Sequence, residues 1–280
     1  MNNSNKEEEE PLLYVNLQGY PFYLFEKNSS SVVRSDFSST HLNYSKFGPV
    51  QLSLCMPTFT PSENGPWALF HLLRHRLQFV VNVSQVPRDY LFSFYSCGLH
   101  VTELYRDAFS GVGEINFMDA NRDFFHMTLQ KPFDLDGFRI GTGSGAYKSC
   151  THLFYDLSGR VTDTSLLYGY HEDCLINTHF PFLVYIDFIA NSLSPPHLLN
   201  TITIRLCQHE NTIEQKITKG RSSQEDDYLS ILSSFIIQPT MTMTLLLWKQ
   251  PESLEIEEKK ENIESTIYQI TLLPLLPLPV

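Results

Sequence analysis

Short runs of aromatic and β-branched residues, each cut off by turn formers, leave this chain few ways to fold except into packed β-sheets. They include LLYVNL from Leu12, YPFYLF from Tyr20, VQLSLCM from Val50, LQFVVNVSQV from Leu77, LFSFYS from Leu91, GEINFM from Gly113 and FFHMTL from Phe124. THLFYDL from Thr151, FLVYIDFIA from Phe182, NTITIRLCQ from Asn200 and TMTMTLLLW from Thr240 continue the series. In Leu77-Gln78-Phe79 and in Thr201 to Leu206 apolar and polar residues alternate, the period of a half-buried strand. Gly48-Pro49, Asn64-Gly65-Pro66, Asp136-Gly137, Ser158-Gly159 and Pro195-Pro196 supply the turns. The expected fold is all-β, a sandwich or barrel with one or two short helices.

Helical signals are sparse. Trp67 to Arg76 follows a turn and has the composition of a short helix, Gln224 to Leu232 is a second candidate, and the charge-rich Glu255 to Thr266 is a third, solvated one. None alternates with strands as a βαβ series requires. Residues 1–10 end in the run Glu7 to Glu10 and are expected to be a disordered acidic lead-in. The all-β domain spans 11–248 as one unit or two β halves, with the break near 191–196 (NSLSPP). A charged segment, 249–268, and a proline-rich tail, 269–280, follow. Pro274 and Pro277 fit the PxxP pattern of a polyproline II ligand, and the alternative is an apolar tail laid over a sheet edge.

A length of 280 residues, with 42% hydrophobic and 18% charged residues, describes a chain able to bury a substantial core. The net charge of −11 and the lack of any basic stripe argue against nucleic acid as a partner. The start MNNSNKEEEEPLL has neither the basic nor the apolar part of a secretory signal, and no apolar stretch is long enough to span a membrane. A cytoplasmic or nuclear, nonsecreted protein is expected. Cys55, Cys97, Cys150, Cys174 and Cys207 are odd in number and widely spaced, which favours buried thiols over a disulfide framework. The N-x-Ser matches at Asn2, Asn28, Asn43 and Asn82 then carry little weight.

Several constellations carry possible chemistry. His71 and His75 are four apart, the spacing of a two-histidine metal site, but Leu72 stands where a zincin needs glutamate. His171, Glu172, Asp173, Cys174 and His179 form a loose cluster that matches no closed zinc module. Gly141-Thr142-Gly143-Ser144-Gly145 lacks the Lys-Ser or Lys-Thr of a P-loop, because Ala146-Tyr147 precede Lys148-Ser149. A hairpin connection is its simplest reading, with backbone amides able to hold an anion. The acidic pairs Asp134 with Asp136 and Asp226 with Asp227 read as solvated turn formers. No G-x-S-x-G elbow appears. The sequence assigns no catalytic, cofactor-binding or metal-binding residue.

Gly113-Glu114-Ile115-Asn116-Phe117-Met118-Asp119-Ala120-Asn121 resembles the dUTPase strand that begins Gly-Glu and reaches an Asn eight positions after the glycine. Upstream, Ser96-Cys97-Gly98-Leu99 is similar to that family's Ser-Gly-Leu phosphate-contact motif, with Cys97 inserted. The family's D-x-x-Y-x-G pattern falls on Ala108 and Gly111 when set on Gly113, or on Arg106 and Phe109 when set on Gly111, with Asp107 one place off. Either register loses the general base, and the final forty residues contain no glycine for the family's closing motif. The resemblance implies a member of the herpesvirus dUTPase-related group: a noncatalytic viral protein with a dUTPase-like barrel pair, binding a host or viral protein to modulate innate immune signalling or viral gene expression. Beside it stand a hydrolase or transferase whose site forms only in three dimensions, around His171, Asp173 and Gly141 to Gly145, and a β-sandwich assembly subunit.

Overall fold

The computed structural model describes residues 13–17, 20–26, 34–36, 39–43, 50–55, 71–98, 114–130, 140–143, 152–153, 155–157, 164–191, 198–220, 229–233, 236, 241–249 and 263–275. Their strands form two large sheets. One runs in the order β1 (Leu13–Leu17), β2 (Tyr20–Glu26), β5 (Val50–Cys55), β18 (Met241–Lys249), β7 (Tyr90–Gly98), β8 (Glu114–Ala120), β9 (Phe125–Gln130), β10 (Ile140–Gly143) and β11 (His152–Leu153). The other runs β12 (Tyr155–Asp156), β17 (Asn211–Thr218), β16 (Leu199–Gln208), β15 (Phe182–Ala190), β6 (His75–Asn82), β19 (Glu264–Pro274), β4 (Ser39–Asn43) and β3 (Arg34–Asp36). A small parallel pair, β13 (Tyr168–Gly169) and β14 (Ile176–Asn177), stands apart. Pairing is antiparallel except there and between β10 and β11.

The sheets face one another through interlocked aromatic rings. Phe79 of β6 meets Phe94 of β7 edge-on at 5.1 Å, Phe117 of β8 meets Phe188 of β15 at 6.2 Å, and Phe125 of β9 meets Phe182 of β15 at 6.3 Å. Edge-to-face contacts suit the ring quadrupole and add to the burial of the rings themselves. The expectation of an all-β sandwich holds. Within it, late strands sit in the middle of both sheets: β18 lies between β5 and β7, and β19 between β4 and β6.

Local readings change at three places. Residues 71–76 do not form the expected helix. Arg74 takes φ 63°, outside the helical region, and its N–H donates to the Phe188 carbonyl at 2.8 Å, so the chain turns there into β6 with Leu72 and Leu73 both buried. The third expected helix gives way to β19 from Glu264 onward, and residues up to Pro274 lie inside a sheet rather than over its edge. Pro274 closes β19 opposite His75, while Pro277 lies outside the described residues. Of the second expected helix, Gln224 to Leu232, residues 224–228 lie outside the described residues and 229–233 are helical. Residues β15 and β16, which flank 191–196, pair with each other along one sheet.

On the face of β6, β15, β16 and β17 turned away from the core, ion pairs form a ladder. Arg76 grips Asp187 through Nε at 2.6 Å and Nη2 at 2.8 Å, Arg205 joins Asp187 at 3.0 Å to Glu214 at 2.5 Å, and Lys216 reaches Glu214 at 2.8 Å. Both carboxylates are buried, so each depends on its cations. Asp187→Ala is expected to lower stability by about 3–5 kcal/mol, read from the urea midpoint, because it leaves two guanidinium groups facing a gap.

Candidate active site

Strand β8 begins at Glu114, and its inward residues Ile115, Phe117 and Met118 are all buried in the core. Strict alternation would send Asn116 and Asp119, three residues apart, to opposite faces. A β-bulge prevents this. Phe94 pairs with Met118 and the next residue, Tyr95, pairs with Asn116, so Phe117 is the extra residue and packs inward beside Met118. Glu114, Asn116 and Asp119 thereby share the face turned away from the core.

Across that face run short polar rows. Ser93 on β7, Asp119 on β8 and His126 on β9 are mutually opposite, and the next row brings Tyr95, Asn116 and Thr128 together. Ser93 Oγ donates to Asp119 Oδ1, and Asn116 Nδ2 donates to Asp119 Oδ2. The His126 ring donates through Nδ1 to the Asp119 backbone carbonyl at 3.1 Å, which fixes its tautomer. Asp119 is 6% exposed, Asn116 7% and His126 1%, so the row is enclosed although it lies outside the inter-sheet core. Asn116 Oδ1 finds no hydrogen-bond partner among the described residues. A buried acceptor left without a donor costs roughly 1–3 kcal/mol, which folded proteins seldom carry without a functional reason.

Beyond β9, Gly141 stands opposite Thr128 and Gly143 opposite His126, so β10 adds no side chain to the rows. The glycines expected in a hairpin loop are strand residues beside the site, and Ser144 and Gly145 lie outside the described residues.

At its far end β8 passes into a turn pinned by Asn121. Its Nδ2 donates to the carbonyls of Arg88 and Tyr90, both at 3.1 Å, and its Oδ1 accepts from Asp123 N at 2.8 Å and Phe124 N at 3.0 Å. The Tyr168 hydroxyl donates to the Asn121 carbonyl at 2.8 Å and ties β13 to the same turn. Burial, reinforced by the charge of Asp123, pushes the Tyr168 phenol well above its ordinary value of 10.0. Above that pH an unfolded tyrosine gives up a proton that the folded one keeps, so stability falls as pH rises past about 10. Tyr168→Phe is expected to cost about 1 kcal/mol at neutral pH and to flatten that alkaline loss in urea midpoints taken between about pH 8 and 11.

The other sequence candidates do not converge on β8. His71 and His75 meet ring edge to ring face at 5.6 Å, and His75 Nδ1 donates to the Leu73 carbonyl at 3.0 Å. Among the described residues no group of three or more His, Cys, Asp and Glu is arranged to hold a metal ion. His171 and Asp173 pair at 3.4 Å in solvent, His179 stacks on Tyr170, and Cys174 is buried. Asp107, Asp134, Asp136, Asp226 and Asp227 lie outside the described residues. Sequence reasoning missed the β8 face. The available signal was the pair of large apolar residues, Phe117-Met118, interrupting an alternating strand between Asn116 and Asp119.

No protein-family model matches this chain, nor does any curated protein. Solved structures do. A GH7 family cellobiohydrolase from Daphnia pulex superposes with a TM-score of 0.65 at 12% identity, covering 88% of this chain and 80% of that one. The native Humicola insolens endocellulase EGI gives 0.57 at 15% identity over 86% and 77% of the two chains. The cellobiohydrolase of Melanocarpus albomyces complexed with cellotetraose gives 0.57 at 11% identity over 89% and 81%. The fold is the β-sandwich jelly roll of these proteins.

These neighbours overturn the dUTPase resemblance. The segment from Phe92 to Leu129 does form adjacent strands, β7, β8 and β9, but they belong to a two-sheet sandwich shared with cellulases and not to a dUTPase-like barrel pair. The expectation of a noncatalytic, viral dUTPase-related protein acting in immune evasion falls with it, because it rested on that resemblance and the solved structures that share this fold are cellulases.

Proposed function

We propose that this chain is a glycoside hydrolase acting on a β-linked glucan, with Glu114 and Asp119 as its two working carboxyls. The observation that carries this reading is their placement on one face of β8 by the Phe117 bulge, around an enclosed Asn116 whose oxygen lacks a donor. The neighbouring structures support it: they are cellobiohydrolases and endoglucanases, and one pair of Humicola insolens Cel7B variants became glycosynthases on replacement of a glutamate.

Glycosidic hydrolysis needs one carboxyl to protonate the departing oxygen and a second to attack the sugar or activate water. Asp119 is held by Ser93 and Asn116, so its carboxylate is fixed in direction and costs no reorganisation when charge develops beside it. Glu114, longer and only partly buried at the start of β8, has the reach to serve as the proton donor. Asn116 Oδ1 lies between them along the strand and accepts a hydrogen bond from a sugar hydroxyl. The test is release of reducing ends from a soluble β-1,4-glucan by the purified full chain. Absence of any release, with the chain folded, sinks the reading.

A further inference from the structure

We infer that Phe180, beside the stacked rings of Tyr170 and His179, forms an aromatic platform that binds a pyranose unit of a glycan at the end of β8. The inference rests on the proposed glycosidase reading for its choice of ligand. Phe180 is 57% exposed and Tyr170 39%, yet neither is on a loose segment. The Tyr170 and His179 rings stack at 3.6 Å between centroids with planes 30° apart, the Arg122 guanidinium lies 5.3 Å over the Tyr170 ring, and Phe180 sits 6.5 Å from His179.

The chain beneath them is braced from the interior. Gln208 is buried, and its Nε2 donates to the carbonyls of Asn177 at 2.9 Å, Pro181 at 3.1 Å and Phe180 at 3.3 Å while its Oε1 accepts from Asn177 N at 2.8 Å. Thr178 Oγ1 donates to the Arg122 carbonyl at 2.7 Å, which fastens the platform to the turn after β8. Holding large rings outward on so rigid a support pre-organises them for a ligand, which lowers the ordering cost of binding. Arg122 follows Asp119 by about 10 Å of chain at most, so the platform lies within reach of a glycan crossing the candidate active site.

The chemistry points to sugar. A pyranose presents a face of C–H groups that suits the negative face of an aromatic ring, which Phe180 offers while Tyr170, covered by His179 and Arg122, holds the support in place; its rim of hydroxyls suits the exposed His171 and Asp173 nearby.

The experiment is calorimetric titration of the full-length chain, carrying Asp119→Asn to prevent turnover, with a β-1,4-linked glucose hexamer. Phe180→Ala and Tyr170→Ala, both at exposed positions, are each expected to weaken binding by about 3- to 10-fold. Leu273→Ala, an equally exposed apolar residue on β19, is the control and should leave it unchanged. Unaltered binding in both aromatic variants overturns the platform. So does a wild-type chain that cleaves a short aryl glycoside but binds no hexamer, and that result leaves the hydrolase reading standing. Binding that depends on Phe180 in a chain with no hydrolytic activity supports the platform and removes the hydrolase reading.

Discussion

Asp119→Asn is expected to slow glycosidic hydrolysis by about 10²- to 10⁴-fold with little change in stability, because it removes a charge and leaves the shape. The hydrogen bonds around the position allow for the change. One of the two neighbours reverses and the other does not: either the new nitrogen faces Ser93, whose hydroxyl rotates to accept while Asn116 still donates, or it faces Asn116, whose amide turns over to accept through its otherwise unpartnered oxygen while Ser93 still donates. Asp119→Ala behaves differently. It strands two buried donors, each costing roughly 1–3 kcal/mol, and so loses stability together with activity. Glu114→Gln is expected to match the asparagine variant in activity and to leave the urea midpoint within about 1 kcal/mol, since Glu114 is only partly buried. Two isosteric variants that lose rate and keep their fold distinguish chemistry from scaffolding.

Removal of residues 263–280 is expected to abolish cooperative unfolding altogether. Strand β19 pairs with β4 from Glu264 to Tyr268 and with β6 from Thr266 to Pro274, so its loss opens two edges in the middle of a sheet. It also removes the buried side chains Ile263, Ile267, Ile270 and Leu272. At about 1.5–3 kcal/mol each, their burial amounts to about 6–12 kcal/mol. The whole stability of a domain is about 5–15 kcal/mol, so little margin survives. Near-ultraviolet circular dichroism during urea titration reads the effect. A truncated chain with the full-length midpoint contradicts the strand order.

How much of this was legible in the sequence depends on where regular alternation survives. Thr201 to Leu206 alternates cleanly and is strand β16, and the aromatic runs from Leu77, Leu91 and Phe182 fall on β6, β7 and β15. The all-β class followed from those runs alone. Strand β19 was hidden for two reasons. A charged stretch leads into it, and its own pattern breaks at a register shift between Tyr268 and Thr271, where Gln269 takes φ 49° and brings Ile270 onto the same face as Ile267 and Leu272. The β8 bulge hid the candidate site by the same physics. With Phe117 counted as a regular position, Asp119 points into the core and no pair of carboxyls is visible, whereas one inserted residue turns the same nine letters from a damaged nucleotide motif into a polar face. The partner strands that complete the row, β7 and β9, are adjacent in sequence, but the Ser93, Asp119 and His126 register is set only by pairing.

The most direct test of the account is a comparison of wild type and Asp119→Asn, both shown to be folded, for reducing ends released from a soluble β-1,4-glucan. The account predicts measurable release by the wild type and a loss of at least about 100-fold in the variant. Equal rates in the two proteins, or no release by a folded wild type, contradict a hydrolytic site on β8.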